Sequence, residues 1–374
     1  MHIDAISMQL YNHFLYIPSY MLNRLFCIKT ITRTYPRQLT FYRRTFMRKR
    51  HMFLIALILL SFSVSLFAGG QGEAPKTEGL DRSKHFITVA TGPTSGLYFP
   101  IGGAFSSVFQ NKLGYKSSAQ ATGASAENIT LIREGRAEMA IAMSDVVAQA
   151  YKGFGAYEGK QPATELRALL GLYPNYVQLV TTRRTGITKF TDLKGKRVGI
   201  GAPNSGVEVN ARMMYEAHGM TYADSRVDYL NYGEAIAQLK NNLVDAVFVT
   251  SGIPNATIME LGTTHEIVLI PIEGEGLANL KAKYPFFVEA VIPADVYDTK
   301  QDTLTATVRN IMIVNANLDE EVAYDLAKGI FENIEDIQAS HATAKRHISL
   351  ENSHIGVDIP FHPGAKRYYD EVGM

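Results

Sequence analysis

The sequence predicts an α/β chain whose parallel-rich sheets form a two-lobed clamshell. Three observations carry this. From residue 86 onward, short apolar runs of strand character alternate with stretches of helical periodicity, the pattern of parallel sheets with ligand sites at the carboxyl ends of their strands. Five strand ends pass through Gly, Pro, Asn, Ser or Thr turns directly into helices. A chain of 374 residues with 46% hydrophobic content is long enough for two such units.

The first junction is the most informative. Phe86, Ile87, Val89 and Ala90 form a strand, Gly92, Pro93 and Gly96 a turn, and Ala104, Phe105, Val108 and Phe109 resume at helical spacing. Such a junction leaves backbone N–H groups without partners at the positive end of a helix. It suits a small anion, with Thr91, Ser95 and Tyr98 as hydroxyl donors.

The remaining elements follow in order. Strands are expected at 117–121, 139–143, 166–172, 177–182, 197–201, 227–230, 246–250 and 267–271. Helices are expected at 126–134, 145–151 and 207–218, the last with Val207, Ala211 and Met214 on one face. Two more start near Glu234 and Asn255, and another runs from Asp319-Glu-Glu321 to Phe331. A crossover between lobes falls at 181–188. This divides the chain into a first lobe at 84–180, to which 290–374 return, and a second lobe at 181–289.

The anion-receptive junction recurs. Gly199-Ile-Gly-Ala-Pro-Asn-Ser-Gly206 and Phe248-Val-Thr-Ser-Gly-Ile-Pro254 have the same form, and Ala121-Thr-Gly-Ala-Ser-Ala-Glu-Asn128 and Ala142-Met-Ser-Asp145 are shorter versions. For any single turn, ordinary helix capping accounts for Ser, Thr, Asn and Asp. Five in one alternating chain imply two sets of strand ends facing a shared cleft for a small polar ligand.

Charge is balanced, 37 basic residues against 36 acidic, so nothing draws the chain to nucleic acid or to an anionic membrane. The single Cys27 excludes a disulfide framework and a thiolate metal site. The N-terminus addresses the chain outward. Met47-Arg-Lys-Arg-His51 is a basic cap, 52–67 an uncharged apolar run, and Ala68 a small-residue exit. The run is shorter than the ~18 to 20 residues of a spanning helix, so 47–68 reads as a cleaved signal peptide, giving a periplasmic protein. That places the true start at Met47 and makes 1–46 an upstream extension of the reading frame; the alternative is a basic extension ahead of a membrane anchor. Residues 69–83 read as a solvated linker.

Ala90-Thr-Gly-Pro-Thr-Ser-Gly-Leu-Tyr-Phe-Pro-Ile-Gly102, Ala121-Thr-Gly-Ala-Ser-Ala-Glu-Asn128, Ser144-Asp145, Asp192-Leu-Lys-Gly-Lys-Arg-Val-Gly-Ile-Gly201, Ser205-Gly206 and the tail Phe361-His-Pro-Gly-Ala-Lys-Arg-Tyr-Tyr-Asp-Glu-Val-Gly373 occur in one order. In these motifs, over nearly all of 84–374, the chain resembles the TAXI-type solute receptors of tripartite ATP-independent periplasmic (TRAP) transporters. The resemblance implies a type II periplasmic-binding-protein-like clamshell. It would capture a small organic anion or amino acid, of the glutamate or 2-oxoglutarate class, for the small and large TRAP membrane subunits. Two positions depart from the family pattern. Phe99 replaces a tyrosine, and Val207 replaces a threonine, which removes one hydroxyl from each turn.

The ligand would dock first on Thr91, Ser95, Gly96 and Tyr98, with Ser125, Asn128, Ser144 and Asp145 completing the wall. Asp145, being acidic, would accept from a ligand ammonium or cap its helix. Closure would add Ser205, Gly206 and Val207, with Thr250, Ser251 and Gly252 beside them. No metal, cofactor or enzymatic role is expected. No HExxH, GxSxG, GxGxxG or GxxxxGK[ST] pattern stands in its required context, and His265, His341, His347, His354 and His362 lack ligand spacing. Two alternatives keep the fold: a sensing lobe for a membrane signalling protein, and the binding protein of an ATP-driven (ABC) permease.

Overall fold

The computed structural model describes residues 80–374; the expected leader at 47–68, the segment 1–46 and the linker up to residue 79 lie outside the described residues. The last linker residues dock onto the fold: the Arg82 guanidinium forms two hydrogen bonds to Asp325, at 2.7 and 2.6 Å.

Alternation begins where the sequence places it. Strand β1 (Phe86–Ala90) leads into α1 (Tyr98–Val108), β2 (Lys116–Gln120) into α2 (Ser125–Arg133), and β3 (Met139–Met143) into α3 (Ser144–Lys152). The long β4 (Leu166–Thr182) follows. Beyond it come β5 (Arg197–Gly199), α4 (Gly206–Ala217), β6 (Arg226–Asp228), α5 (Tyr232–Lys240), β7 (Ala246–Ser251), α6 (Ala256–Gly262), β8 (Ile267–Ile270) and α7 (Gly274–Lys283). The chain returns through β9 (Val288–Ile292) and β10 (Thr303–Asn315). It ends in α8 (Glu320–Glu332), α9 (Ile334–Gln338), α10 (Ala342–His347) and α11 (Pro363–Glu371).

The strands join in the order β2-β1-β3-β10-β4-β7-β5-β6, with β8 also on β4 and β9 also on β10. Pairs at the two flanks are parallel, β1 with β2 and β3, and β5 with β6 and β7. The middle is antiparallel, through β10 with β3 and β4 and through β4 with β7. The lobes are therefore two parallel flanks of one continuous sheet, where the sequence suggested two sheets.

Strand β4 explains the difference. The sequence reads 166–172 and 177–182 as separate strands, with Pro174 between them. In the structure one strand of 17 residues runs through, roughly 55 Å at ~3.3 Å per residue, longer than one lobe needs. Its first part pairs with β10 and its end, from Tyr176, with β7. Pro174 lies opposite Arg309, just before a register shift between Arg309 and Ile311, where its missing N–H is tolerated. Strand β10 is not among the strands expected from the sequence. Thr303-Leu-Thr-Ala-Thr-Val-Arg309 does alternate polar and apolar residues, yet the strand is buried along nearly its whole length, on both faces.

One core packs Ile101, Phe105 and Phe109 against Leu326, Ile330 and Tyr369, all within 1% of full burial. A second runs from Ile129, Ile132 and Val146 in the first lobe to Val198, Met214 and Val247 in the second. Val207, Ala211 and Met214 all lie on the buried face of α4, as their spacing predicts.

Candidate functional site

The cavity lies where the two flanks meet. Gly92, Pro93, Gly96, Leu97, Tyr98, Ala124, Met143 and Asn175 line it from the first lobe, and Val207, Tyr232, Thr250 and Ser251 from the second. Its volume is about 20 Å³, room for about one water. Contacts across the cleft are close. Asn210 Nδ2 donates to Asp145 Oδ2 at 2.7 Å, and the Glu127 amide donates to the Asn204 carbonyl at 3.2 Å. A Cβ on Gly206 would stand 2.8 Å from Ser125 Oγ, and one on Gly96 3.2 Å from the Tyr232 ring. The lobes are shut on one another.

Three helices aim their N-termini at this cavity, and their N-cap residues are Leu97, Ala124 and Met143. All three line it, and none makes a side-chain cap. The expectation of hydroxyl or amide caps at these junctions fails in the first lobe. In the second it holds: Ser205 caps α4, Asn231 caps α5 and Asn255 caps α6. On α2 the Glu127 amide already donates to the Asn204 carbonyl at 3.2 Å, and on α3 the Asp145 and Val146 amides act on the Asp145 carboxyl; all three termini carry the positive ends of helix dipoles. Ala124 adopts φ 77°, ψ −148°, a conformation that side chains avoid.

Of the residues expected to bind ligand, Gly96, Tyr98, Val207, Thr250 and Ser251 line the cavity. The others sit behind it or at its rim. Thr91 Oγ1 donates to the Gln120 carbonyl at 2.6 Å. Asn128 donates to the Thr91 and Ile141 carbonyls at 2.6 and 2.7 Å, tying α2 to β1 and β3. Both side chains are hydrogen-bonded into the fold and neither lines the cavity. Ser125 Oγ accepts from the Met143 amide at 3.1 Å. Ser205 Oγ accepts from Glu208 N at 3.1 Å. Ser95 is half-buried near Gly233, Ser144 opens α3, and a Cβ on Gly252 would stand 2.8 Å from Leu97 Cδ2. Asp145 does not face the cavity: it binds Asn210.

Tyr98 keeps its place in the lining. Its hydroxyl donates to Asn310 Oδ1 instead of pointing free into the cleft. Burial pushes the Tyr98, Tyr173 and Tyr232 hydroxyls well above the usual phenol range, so they remain protonated. Tyr232 donates its proton to the Thr250 carbonyl at 2.6 Å. Asn175, Tyr232 and Asn310 were missed. The signal for the two asparagines was a polar residue inside an apolar run, Leu172-Tyr-Pro-Asn-Tyr-Val177 and Val308-Arg-Asn-Ile-Met312.

None of the lining residues carries a charge. Among the described residues no group of three His, Cys, Asp or Glu side chains could hold a metal. His341 and His362 instead cap α10 and α11. No helix among the described residues is long and apolar enough to cross a membrane.

The fold is that of a two-lobed α/β protein of the type II periplasmic-binding-protein-like class, with a small, uncharged and largely apolar-lined cavity between its lobes. The chain belongs to the NMT1-like family, whose sequence model matches residues 89–373. Among solved structures it is similar to a Bordetella bronchiseptica protein at 13% identity, covering 77% of this chain and 98% of that one, with a TM-score of 0.49. It is similar to the periplasmic aliphatic sulphonate binding protein SsuA from Escherichia coli at 10% identity, covering 76% and 78%, TM-score 0.42. It is likewise similar to PhnD1 from Prochlorococcus marinus in complex with methylphosphonate, at 11% identity, covering 70% and 88%, TM-score 0.46. At these identities the likeness concerns the fold and says nothing about a solute.

Proposed function

We propose that the protein is an extracytoplasmic solute receptor that closes its two lobes over a small polar molecule and hands it to a membrane transporter. One observation carries this reading: three helix N-termini without side-chain caps converge on a cavity lined from both lobes. Such amides hold a carboxylate or a comparable acceptor group without a cationic side chain. Closure is sustained when the solute touches both walls. The lobes are taken as 84–180 with 290–374, and 181–289, hinged on the crossing strands β4 and β10.

The glutamate and 2-oxoglutarate class, and delivery to TRAP membrane subunits, rest on the motif resemblance in 90–102, 121–128 and 192–206. The competing partner is an ABC permease. A periplasmic address rests on the expected signal peptide at 47–68, with cleavage after Ala68. Mass spectrometry of solute released from protein purified from its native periplasm tests the receptor reading, together with scattering on the solute-loaded and solute-free forms. A protein that carries no solute and compacts with none from a broad panel of polar metabolites is not a receptor. Uptake driven by an ion gradient favours TRAP subunits; uptake that stops when ATP is depleted at constant gradient favours the permease.

A further inference from the structure

The solute's own chemistry follows from a hydrogen-bond chain behind the cavity, on the reading that the cavity is a solute site. Asn310 is fully buried, and its Nδ2 donates to the Tyr173 carbonyl at 2.8 Å. A backbone carbonyl only accepts, so this bond fixes which way the Asn310 amide faces. Its Oδ1 therefore takes two donors, Asn175 Nδ2 at 3.0 Å and the Tyr98 hydroxyl.

The orientation passes on to Asn175, which is 1% exposed and lines the cavity. With Nδ2 turned toward Asn310, the amide is left with Oδ1, a buried oxygen with no partner in the protein. The Tyr98 proton is also committed, so that oxygen offers only lone pairs. Thr250 Oγ1, the other unpartnered buried polar atom of a lining residue, is a hydroxyl and can turn either way. Asn175 Oδ1 cannot, because an amide oxygen only accepts.

We propose that Asn310 locks Asn175 as a fixed acceptor, so that the site selects solutes carrying an N–H or O–H donor beside the acceptor group held by the helix amides. An ammonium, amide or hydroxyl satisfies Asn175. A keto or unsubstituted acid sets a lone pair or a C–H against it and leaves a buried acceptor unpaired, which a site built for a donor rejects strongly. The uncharged lining adds to this, since a buried dianion with no cation beside it is costly and a zwitterion less so.

The test uses matched series differing only at C2: glutamate, 2-hydroxyglutarate, 2-oxoglutarate and glutarate, and the corresponding C4 acids, within a wider panel of polar solutes paired with and without a donor. Affinities are read by calorimetry on wild type, Asn175→Leu and Tyr98→Phe, each first shown to melt cooperatively. The donor-bearing member of each binding pair should bind at least tenfold tighter. Asn175→Leu should shrink that ratio below about threefold, and Tyr98→Phe, which keeps the ring, should leave most of it. A donor-free solute that binds as tightly as its donor-bearing twin, or a preference unchanged in Asn175→Leu, overturns the proposal and leaves the receptor reading standing. A panel with no binder overturns both.

Discussion

Asn210 on α4 donates through Nδ2 to Asp145 Oδ2 on α3 at 2.7 Å, joining the two lobes behind the cavity. The other oxygen of each side chain, Asp145 Oδ1 and Asn210 Oδ1, is buried with no partner. Two acceptors cannot satisfy each other, but a proton on the carboxyl would let Asp145 donate where Asn210 accepts. Burial pushes the Asp145 carboxyl up to about 7, against the opposing pull of the first-turn amides and of Asn210. Among the described residues no lysine or arginine acts on it; Tyr98 and Tyr157 are the titrating neighbours that feel its charge.

The first prediction is the resulting pH dependence. The folded pKa lies above the ordinary carboxylate value, so the contribution of Asp145 is fully present below about pH 4 and is lost as pH rises toward and through about 7. Between pH 5 and 8 the wild-type melting temperature should fall by several degrees more than that of Asp145→Asn, which cannot ionise. Parallel curves for the two proteins across that range would refute an ionising Asp145.

A second prediction concerns closure. A side chain at Gly206 meets Ser125 Oγ at 2.8 Å and Met143 Sδ at 2.9 Å, both on the opposite lobe. Gly206→Val should therefore prevent the lobes from meeting while each stays folded. Solute affinity should drop at least tenfold, and small-angle scattering should show no compaction on adding solute. Tight binding with normal compaction in this variant would mean that the lobes close along another path.

Tyr98 is tested by two substitutions of different depth. Tyr98→Ala removes a ring that is 6% exposed, at a cost of about 3 to 5 kcal/mol in stability. Tyr98→Phe loses only the bond to Asn310, about 0.5 to 1.5 kcal/mol. Denaturant melts should separate the two by at least 1 kcal/mol; equal losses would place the effect in the hydroxyl rather than the ring.

Ala124 carries backbone strain at the cleft. Its φ of 77° with ψ −148° belongs to a region that glycine occupies freely and alanine does not, at about 1 to 3 kcal/mol. Glycine's extra unfolded-state entropy offsets about 0.5 to 1 kcal/mol of the relief. Ala124→Gly should therefore raise stability by about 1 kcal/mol, read as a higher denaturant midpoint with an unchanged slope. A lower midpoint would show that the side chain's contacts outweigh its strain.

Local chemistry was enough to place much of this molecule. The strand at 139–143, the helix face of Val207, Ala211 and Met214, and the turns that open toward the cleft all follow from periodicity and turn residues, which depend on neighbours along the chain. Five of the expected site residues reached the cavity lining because glycine-rich strand ends necessarily point there in an alternating fold. Tertiary structure decided the rest. Whether Thr91 and Asn128 face a solute or brace the sheet depends on which carbonyls lie beside them, and those belong to strands β2, β1 and β3. The run through Pro174 is one strand because β10, over a hundred residues away, supplies its partner. The sense of the hydrogen bond at Asn175 is set by Asn310 and a Tyr173 carbonyl, and the proton on Asp145 by its burial where the two lobes meet. Periodicity records which face of an element is apolar, whereas the partner of a buried polar atom is known only once the chain has folded back on itself.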